Sequence, residues 1–217
     1  MVNIQKHDFV EINYTGKLED GKVFDTTLEN IARKNNLPSE GLQFRAPIIC
    51  IGESQLLPGL DQELVEKEVG KNYSITLPPE RAFGKRDIKK VKIVPASIFK
   101  EHKVQPQPGL QVDVDGERGL VTSISSGRII VNFNHPLAGK TVIYDLKVER
   151  KITDTSEKIK FFLAVVLRIP LDQIEVKMTV EKAEVFLPME FPAQITQLLT
   201  PKLIALTGTK DILFKKS

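Results

Sequence analysis

Val10–Thr27 reads VEINYTGKLEDGKVFDTT, and its patterning sets the architecture of the chain. Val10, Ile12 and Tyr14 alternate with Glu11, Asn13 and Thr15, the period-2 pattern of a strand with one buried face. Glu19-Asp20-Gly21 supplies turn chemistry, and Val23-Phe24-Asp25 opens a second short extended run. The hairpin brings Tyr14, Phe24 and Asp25 to the mouth of a small sheet. On spacing alone, each of these aromatics reads first as core packing.

Working outward, Leu28, Ile31 and Ala32 have helical spacing, with stop signals at Asn35-Asn36, Pro38 and Gly41. Ala46–Gly52 (APIICIG) reads as a buried strand. Leu60 and Leu64 lie one helical turn apart between Pro58-Gly59 and Gly70, which predicts one short helix across an antiparallel sheet. Tyr73–Leu77 continues the sheet and leads into PPERAFG at 78–84.

These residues resemble the FKBP-type peptidyl-prolyl isomerases. The family's marks occur in order: Tyr14-Thr15-Gly16, Phe24-Asp25, Ile51-Gly52, Leu56-Leu57 with Gly59, Val69-Gly70, and a Pro-x-x-x-Ala-aromatic-Gly element ending at Phe83-Gly84. The closing strand, Thr141–Glu149 with Tyr144-Asp145, follows only after Ile88–Phe133 and an Asn134-His135-Pro136-Leu137-Ala138-Gly139 return. That interruption of the flap resembles the SlyD-like branch, and the long layout resembles archaeal forms with a C-terminal domain.

The expected fold is α+β: a curved antiparallel sheet wrapped on one helix, a small all-β insert lobe, and a C-terminal α/β lobe. The expected domains are 1–87 with 134–152 for the isomerase, 88–133 for the insert, and 153–217 for the C-terminal part. Within the insert, Pro95–Phe99 reads as a helical turn, and Leu110, Val112 and Val114 alternate before a turn at Gly116. The insert holds seven basic and four acidic residues. Its +3 charge fits either a solvated surface or attraction to acidic client segments.

Beyond Lys151, Asp154-x-x-Glu157 has capping-box spacing ahead of a helix at 159–169 that is apolar without interruption from Phe161 to Leu167. Strands at 175–179 and 182–187, a helix at 192–206 and a strand at 211–214 complete the lobe. Its apolar excess points to self-association, a homodimer through 153–217, or to two helices that shield each other.

Composition narrows the function classes. The 31 basic and 28 acidic residues nearly balance, against a dedicated nucleic-acid binder. A lone cysteine, Cys50, sits among apolar neighbours and reads as a buried strand residue. No stretch approaches the roughly 20 apolar residues of a spanning helix, and the first ten residues lack an apolar core. The expectation is a cytoplasmic protein without membrane contact. His7, His102 and His135 are scattered and the tail reads KDILFKKS, so neither metal nor cofactor is expected.

The resemblance implies rotation of Xaa-Pro bonds in unfolded or partly folded polypeptides. Residue by residue, it carries pocket-lining roles to Tyr14, Phe24, Leu56, Leu57, Leu60, Phe83 and Tyr144, and a hydrogen-bond donor to the Leu57 N–H. Asp25 matches the carboxylate beside the substrate carbonyl, or else it holds the Tyr14 hydroxyl. Leu60 stands where minimal members have Trp, Phe83 where many have Tyr, and Pro47 and Ile49 fall where aromatics often line a wall. Ile93, Val94, Ile98, Phe99 and Leu110 are candidates for client contacts on the insert, or else fill its small core. The rival reading is a holdase chaperone with a vestigial pocket.

Overall fold

The structure is a computed structural model, and it describes residues 2–38, 44–101, 103–180 and 182–217. Gly41, expected as a helix stop, and His102 lie outside the described residues. The chain divides into two compact units, Met1–Leu77 with Val142–Ser217, and Pro78–Thr141.

In the first unit, β1 (Phe9–Leu18) is the hub. One edge pairs along its whole length with β9 (Val142–Ile152), from Phe9↔Ile152 to Leu18↔Val142. The other edge is shared by two short antiparallel strands, β3 (Ile48–Cys50) at the Phe9 end and β2 (Val23–Thr26) at the Gly16 end. On the far side of β9 lies β4 (Asn72–Leu77). The apolar run at Ala46–Gly52 contributes only its central three residues as strand.

Direct cross-strand pairs sort the two faces. Ile12↔Val148, Tyr14↔Leu146, Gly16↔Tyr144 and Leu18↔Val142 share one face, and Tyr144 and Val142 in turn oppose Ile75 and Leu77. Ile12, Val142, Leu146, Val148, Ile75 and Leu77 are all buried. The helix α2 (Pro58–Leu64) packs against β4 and buries Leu60 and Leu64, with Pro58 at its first position where no N–H is needed. Before it, α1 (Glu29–Lys34) carries a Glu29–Arg33 pair one turn apart and ends ahead of Asn36 at φ +54°.

The opposite face is polar in the middle of the sheet: Lys17 pairs with Asp145, and the Ser74 hydroxyl donates to Asp145 at 2.7 Å. At the β1 start it turns apolar through Phe9, Cys50, Ile48 and Ile152. The C-terminal segment covers this patch. Helix α4 (Thr155–Leu167) begins as its capping-box spacing predicts, with Asp154 accepting from the Glu157 N–H at 2.7 Å. The Glu157 carboxylate pairs with Arg150, which also pairs with Glu11. The helix ends at Arg168 in the left-handed conformation, two residues before Pro170.

Behind α4 lie β10 (Glu175–Met178), β11 (Lys182–Leu187), α5 (Ala193–Thr207) and β12 (Asp211–Lys216). Strands β10 and β11 run antiparallel, and α5 is the crossover that lets β12 pair parallel to β11. Ile159, Phe162 and Leu163 of α4 join one buried cluster with Phe9, Ile48, Cys50 and Ile152 on one side and Ala183, Val185, Leu199, Leu203 and Ile212 on the other. Phe162 meets Phe9 edge-on with ring centroids 6.4 Å apart. Much of the apolar surface on this helix is therefore covered from within the chain, while Val165 and Val166 remain 45% exposed.

In the second unit, β5 (Val91–Pro95), β6 (Gln111–Val114), β7 (Glu117–Ser125) and β8 (Arg128–Asn132) form an antiparallel sheet in the order β5-β8-β7-β6. With α3 (Ala96–Glu101) it encloses Val94, Phe99, Val121, Ile129 and Val131. Val94 and Phe99 thus belong to the lobe's own core and are not exposed contacts. A lobe this small has too few apolar residues to bury without them. Ile98 and Leu110 are half-buried against that core, and Ile93 is 61% exposed.

Phe162→Ala opens a cavity in the core shared by sheet and C-terminal segment. A loss of about 3 kcal/mol is expected in urea denaturation, with the loss seen alike by probes in the sheet and in the C-terminal segment.

Candidate active site

The site begins with a glycine. A Cβ built on Gly16 would lie 2.8 Å from the Phe24 ring and 3.0 Å from the Tyr144 ring, so only glycine lets both rings rest on this strand. Tyr144 arrives by direct pairing opposite Gly16. Phe24 arrives by a slip in register: Gly16 opposes Asp25 and Lys17 opposes Val23, leaving Phe24 as the extra residue of a bulge. Its ring meets Tyr144 edge-on at 5.8 Å and 82°. Tyr14, two residues before Gly16 on the same face, tilts against Tyr144 at 5.8 Å.

Threonines hold the backbone under these rings. The Thr27 hydroxyl accepts from the Tyr14 N–H at 2.9 Å, and the Thr26 hydroxyl donates to the Tyr14 carbonyl at 3.0 Å. Thr15 and Thr26 hydroxyls meet at 2.9 Å. The Tyr14 hydroxyl donates to Asp25 Oδ2 at 3.0 Å, so of the two readings of Asp25 the structure contains the bond to Tyr14.

Both tyrosines stay neutral. Burial, and then the nearby Asp25 carboxylate, push the Tyr14 hydroxyl well above its ordinary value; burial, Asp25 and Tyr14 do the same to Tyr144. The rings therefore line a wall that is apolar apart from two uncharged hydroxyls, and Asp25 is its exposed carboxylate.

Of the remaining expected residues, Leu60 is buried at 3% exposure in α2, and Leu56 and Leu57 are half-buried just before that helix. Ile49 is buried and Pro47 half-buried. Phe83 belongs to the second unit, where it stacks on His135 with centroids 4.6 Å apart and planes 3° apart. Sequence reading passed over Gly16, Thr26, Thr27 and His135. The Tyr-Thr-Gly and Asn-His-Pro signals contained two of them, but close approach and stacking are invisible to spacing. Among the described residues, no group of three or more His, Cys, Asp or Glu is placed to hold a metal ion. No described helix is long and apolar enough to cross a membrane.

Comparison with known proteins bears on this geometry. Residues 92–137 match the family model described as "FKBP26, IF domain". The chain is 30% identical over 149 residues to the short-type peptidyl-prolyl cis-trans isomerase of Methanocaldococcus jannaschii, covering 68% of this chain and 94% of that one. It is 30% identical over 151 residues to the FKBP-type 16 kDa peptidyl-prolyl cis-trans isomerase of Escherichia coli, covering 67% and 92%. The chain belongs to the FKBP-type peptidyl-prolyl cis-trans isomerases.

The Aeromonas hydrophila isomerase SlyD is 29% identical over 153 residues, covering 69% of this chain and 65% of that one. With the insert match, this makes the protein an FKBP-type isomerase carrying a SlyD-like insert-in-flap domain. Its substrates are polypeptides with Xaa-Pro bonds, as the family implies.

Two outcomes test the wall of this isomerase. Gly16→Ala drives a methyl into both rings; a loss of about 2 kcal/mol is expected from the overpacking, together with a shift in the ring-proton resonances of Tyr144. The second concerns alkali. Tyr14 and Tyr144 ordinarily titrate near 10.0 and are held higher by the fold, and burial, then Glu53 and Asp61, push the Cys50 thiol from 9.0 up to about 12. In that range the folded chain binds more protons than the unfolded one. The stability these groups contribute is complete below about pH 9 and declines as pH rises from there. Urea midpoints measured from pH 7 to 11 should show the decline, and Tyr144→Phe should make it shallower; an unchanged slope in that variant removes Tyr144 from the account.

Proposed function

We propose that the rings of Tyr14, Phe24 and Tyr144, with Leu56, Leu57 and Leu60, form the surface on which the prolyl bond is twisted, and that the insert captures unfolded chain for it. The barrier to rotation is about 18–20 kcal/mol because resonance stiffens the C–N bond. Twisting abolishes that resonance and leaves a less polar carbonyl. An apolar wall therefore favours the twisted amide over the planar one, and a lowering of about 4 kcal/mol already gives roughly a thousandfold. The neutral ring cluster seated on Gly16 is the observation that carries this reading. No nucleophile or metal enters it.

In this reading the aromatic wall seats the proline ring, the Leu57 N–H donates to the peptide, and Asp25 acts by fixing the Tyr14 hydroxyl. Phe83 takes its role from the family resemblance. The division of labour follows the expected boundaries: isomerisation by 1–87 with 134–152, capture by 88–133, and a C-terminal domain at 153–217 as the seat of a homodimer. Beside Ile93, the insert leaves Ile88 86%, Leu120 40% and Ile124 42% exposed. These residues support client binding, with covalent proximity raising the concentration of prolines at the wall.

The test is catalysed cis/trans exchange on an Xaa-Pro peptide and on a protein whose refolding is proline-limited. Phe24→Ala and Tyr144→Ala should lower both rates by tenfold or more, on the order of 1.4 kcal/mol or above, while capture of unfolded protein persists. Replacing 88–133 by a short loop should spare the peptide and slow the refolding substrate. Equal loss on both substrates would remove the capture role from the insert.

A further inference from the structure

The segment between β3 and α2 carries Leu56 and Leu57, and it is held from several directions. Asp61 accepts from the Gly52 N–H at 2.8 Å and from the Ser54 N–H at 3.4 Å. Gln55 Oε1 accepts from the Cys50 N–H at 2.7 Å. Gly52 and Ser54 sit at φ +86° and +56°, conformations that an L side chain such as that of Ser54 adopts only under constraint.

Between these two residues, Glu53 turns its carboxylate inward, and the side chain is only 9% exposed. His7 Nε2 lies 3.9 Å from its Oε1 and offers a charge only when protonated. A cation paired with it comes from much later in the chain: Lys202 of α5 meets Glu53 Oε2. Leu199, Leu203 and Leu206 anchor α5 in the core shared with the sheet, so Lys202 is presented from a packed helix.

We propose that Lys202 is a positioning residue for isomerisation: by neutralising the nearly buried Glu53 carboxylate, it braces the segment that presents Leu56 and Leu57. This rests on the reading of the site given above. Without Lys202 the carboxylate is left poorly hydrated, with the His7 imidazole 3.9 Å away as its remaining neighbour of this kind. It regains water if the segment rotates outward, which also relieves the positive φ at Ser54. That rotation carries Leu56, Leu57 and the Leu57 N–H off their positions, and small displacements of positioning groups are costly to rate. The C-terminal segment thereby acts on catalysis without touching substrate.

The experiment uses the full chain and kcat/KM on an Xaa-Pro peptide. Lys202→Met should lower it about fivefold and speed amide hydrogen exchange at Glu53–Leu57, whereas Lys202→Arg keeps both near wild type. The charge-exchanged pair Glu53→Lys with Lys202→Glu should recover activity that either single reversal loses, a readout that holds even where Lys202→Met folds poorly. Wild-type activity in Lys202→Met, or a loss in Lys202→Arg as deep as in Lys202→Met, overturns the brace. Phe24→Ala is run in parallel. If it is inactive while Lys202→Met is unimpaired, the brace alone fails; if it is fully active, the site reading fails with it.

Discussion

Ten residues of β1 pair with β9, and everything in the first unit depends on that ladder. Because side chains alternate, the ladder writes two surfaces at once. One stacks Ile12, Tyr14 and Gly16 against Val148, Leu146 and Tyr144 and becomes the core and the wall of the proposed site. The other is polar in the middle and apolar near Phe9. The slip in register between Glu11 and Ile12 separates those two stretches on β9. A strand serving one core needs only alternation; this one serves two, and the irregularity accommodates the second.

The chemistry asks little of individual side chains and much of their environment. In the mechanism proposed above, prolyl rotation needs a surface that disfavours the planar, polar amide, which is why it turns on Tyr14 and Tyr144 remaining uncharged with their rings close. Gly16 provides the closeness through the absence of a Cβ. Asp25 and the surrounding burial provide the neutrality, since both raise the energy of a phenolate. An exposed Asp25 carboxylate and apolar rings are thus compatible. The carboxylate is exposed to water and spends a lone pair on the Tyr14 hydroxyl.

The C-terminal segment is bound to the isomerase sheet by more than its linker. Phe162 and Ile159 are buried among residues from both sides, and Arg150 bridges Glu11 of the sheet to Glu157 of the helix. Its exposed ion pairs contribute little to stability, and the shared apolar core contributes most.

Local pattern sufficed for much of this. Strict alternation from Val10, the turn at Glu19-Asp20-Gly21, the two leucines of α2, the Asp154 cap and the ordered family marks depend on neighbours a few residues apart, and each appears where its residues predict. Contacts between distant residues were beyond it. That Val94 and Phe99 fill the insert core while Ile93 stays exposed follows from which face of β5 meets α3, and two consecutive apolar letters do not record a face. That the uninterrupted apolar run of α4 finds cover on Phe9 and Cys50, about 110 to 150 residues away by chain position, as well as on nearby Ile152, follows from the face that the paired strands present. Hydrophobicity measures how much a helix must bury, and only the assembled fold decides against what.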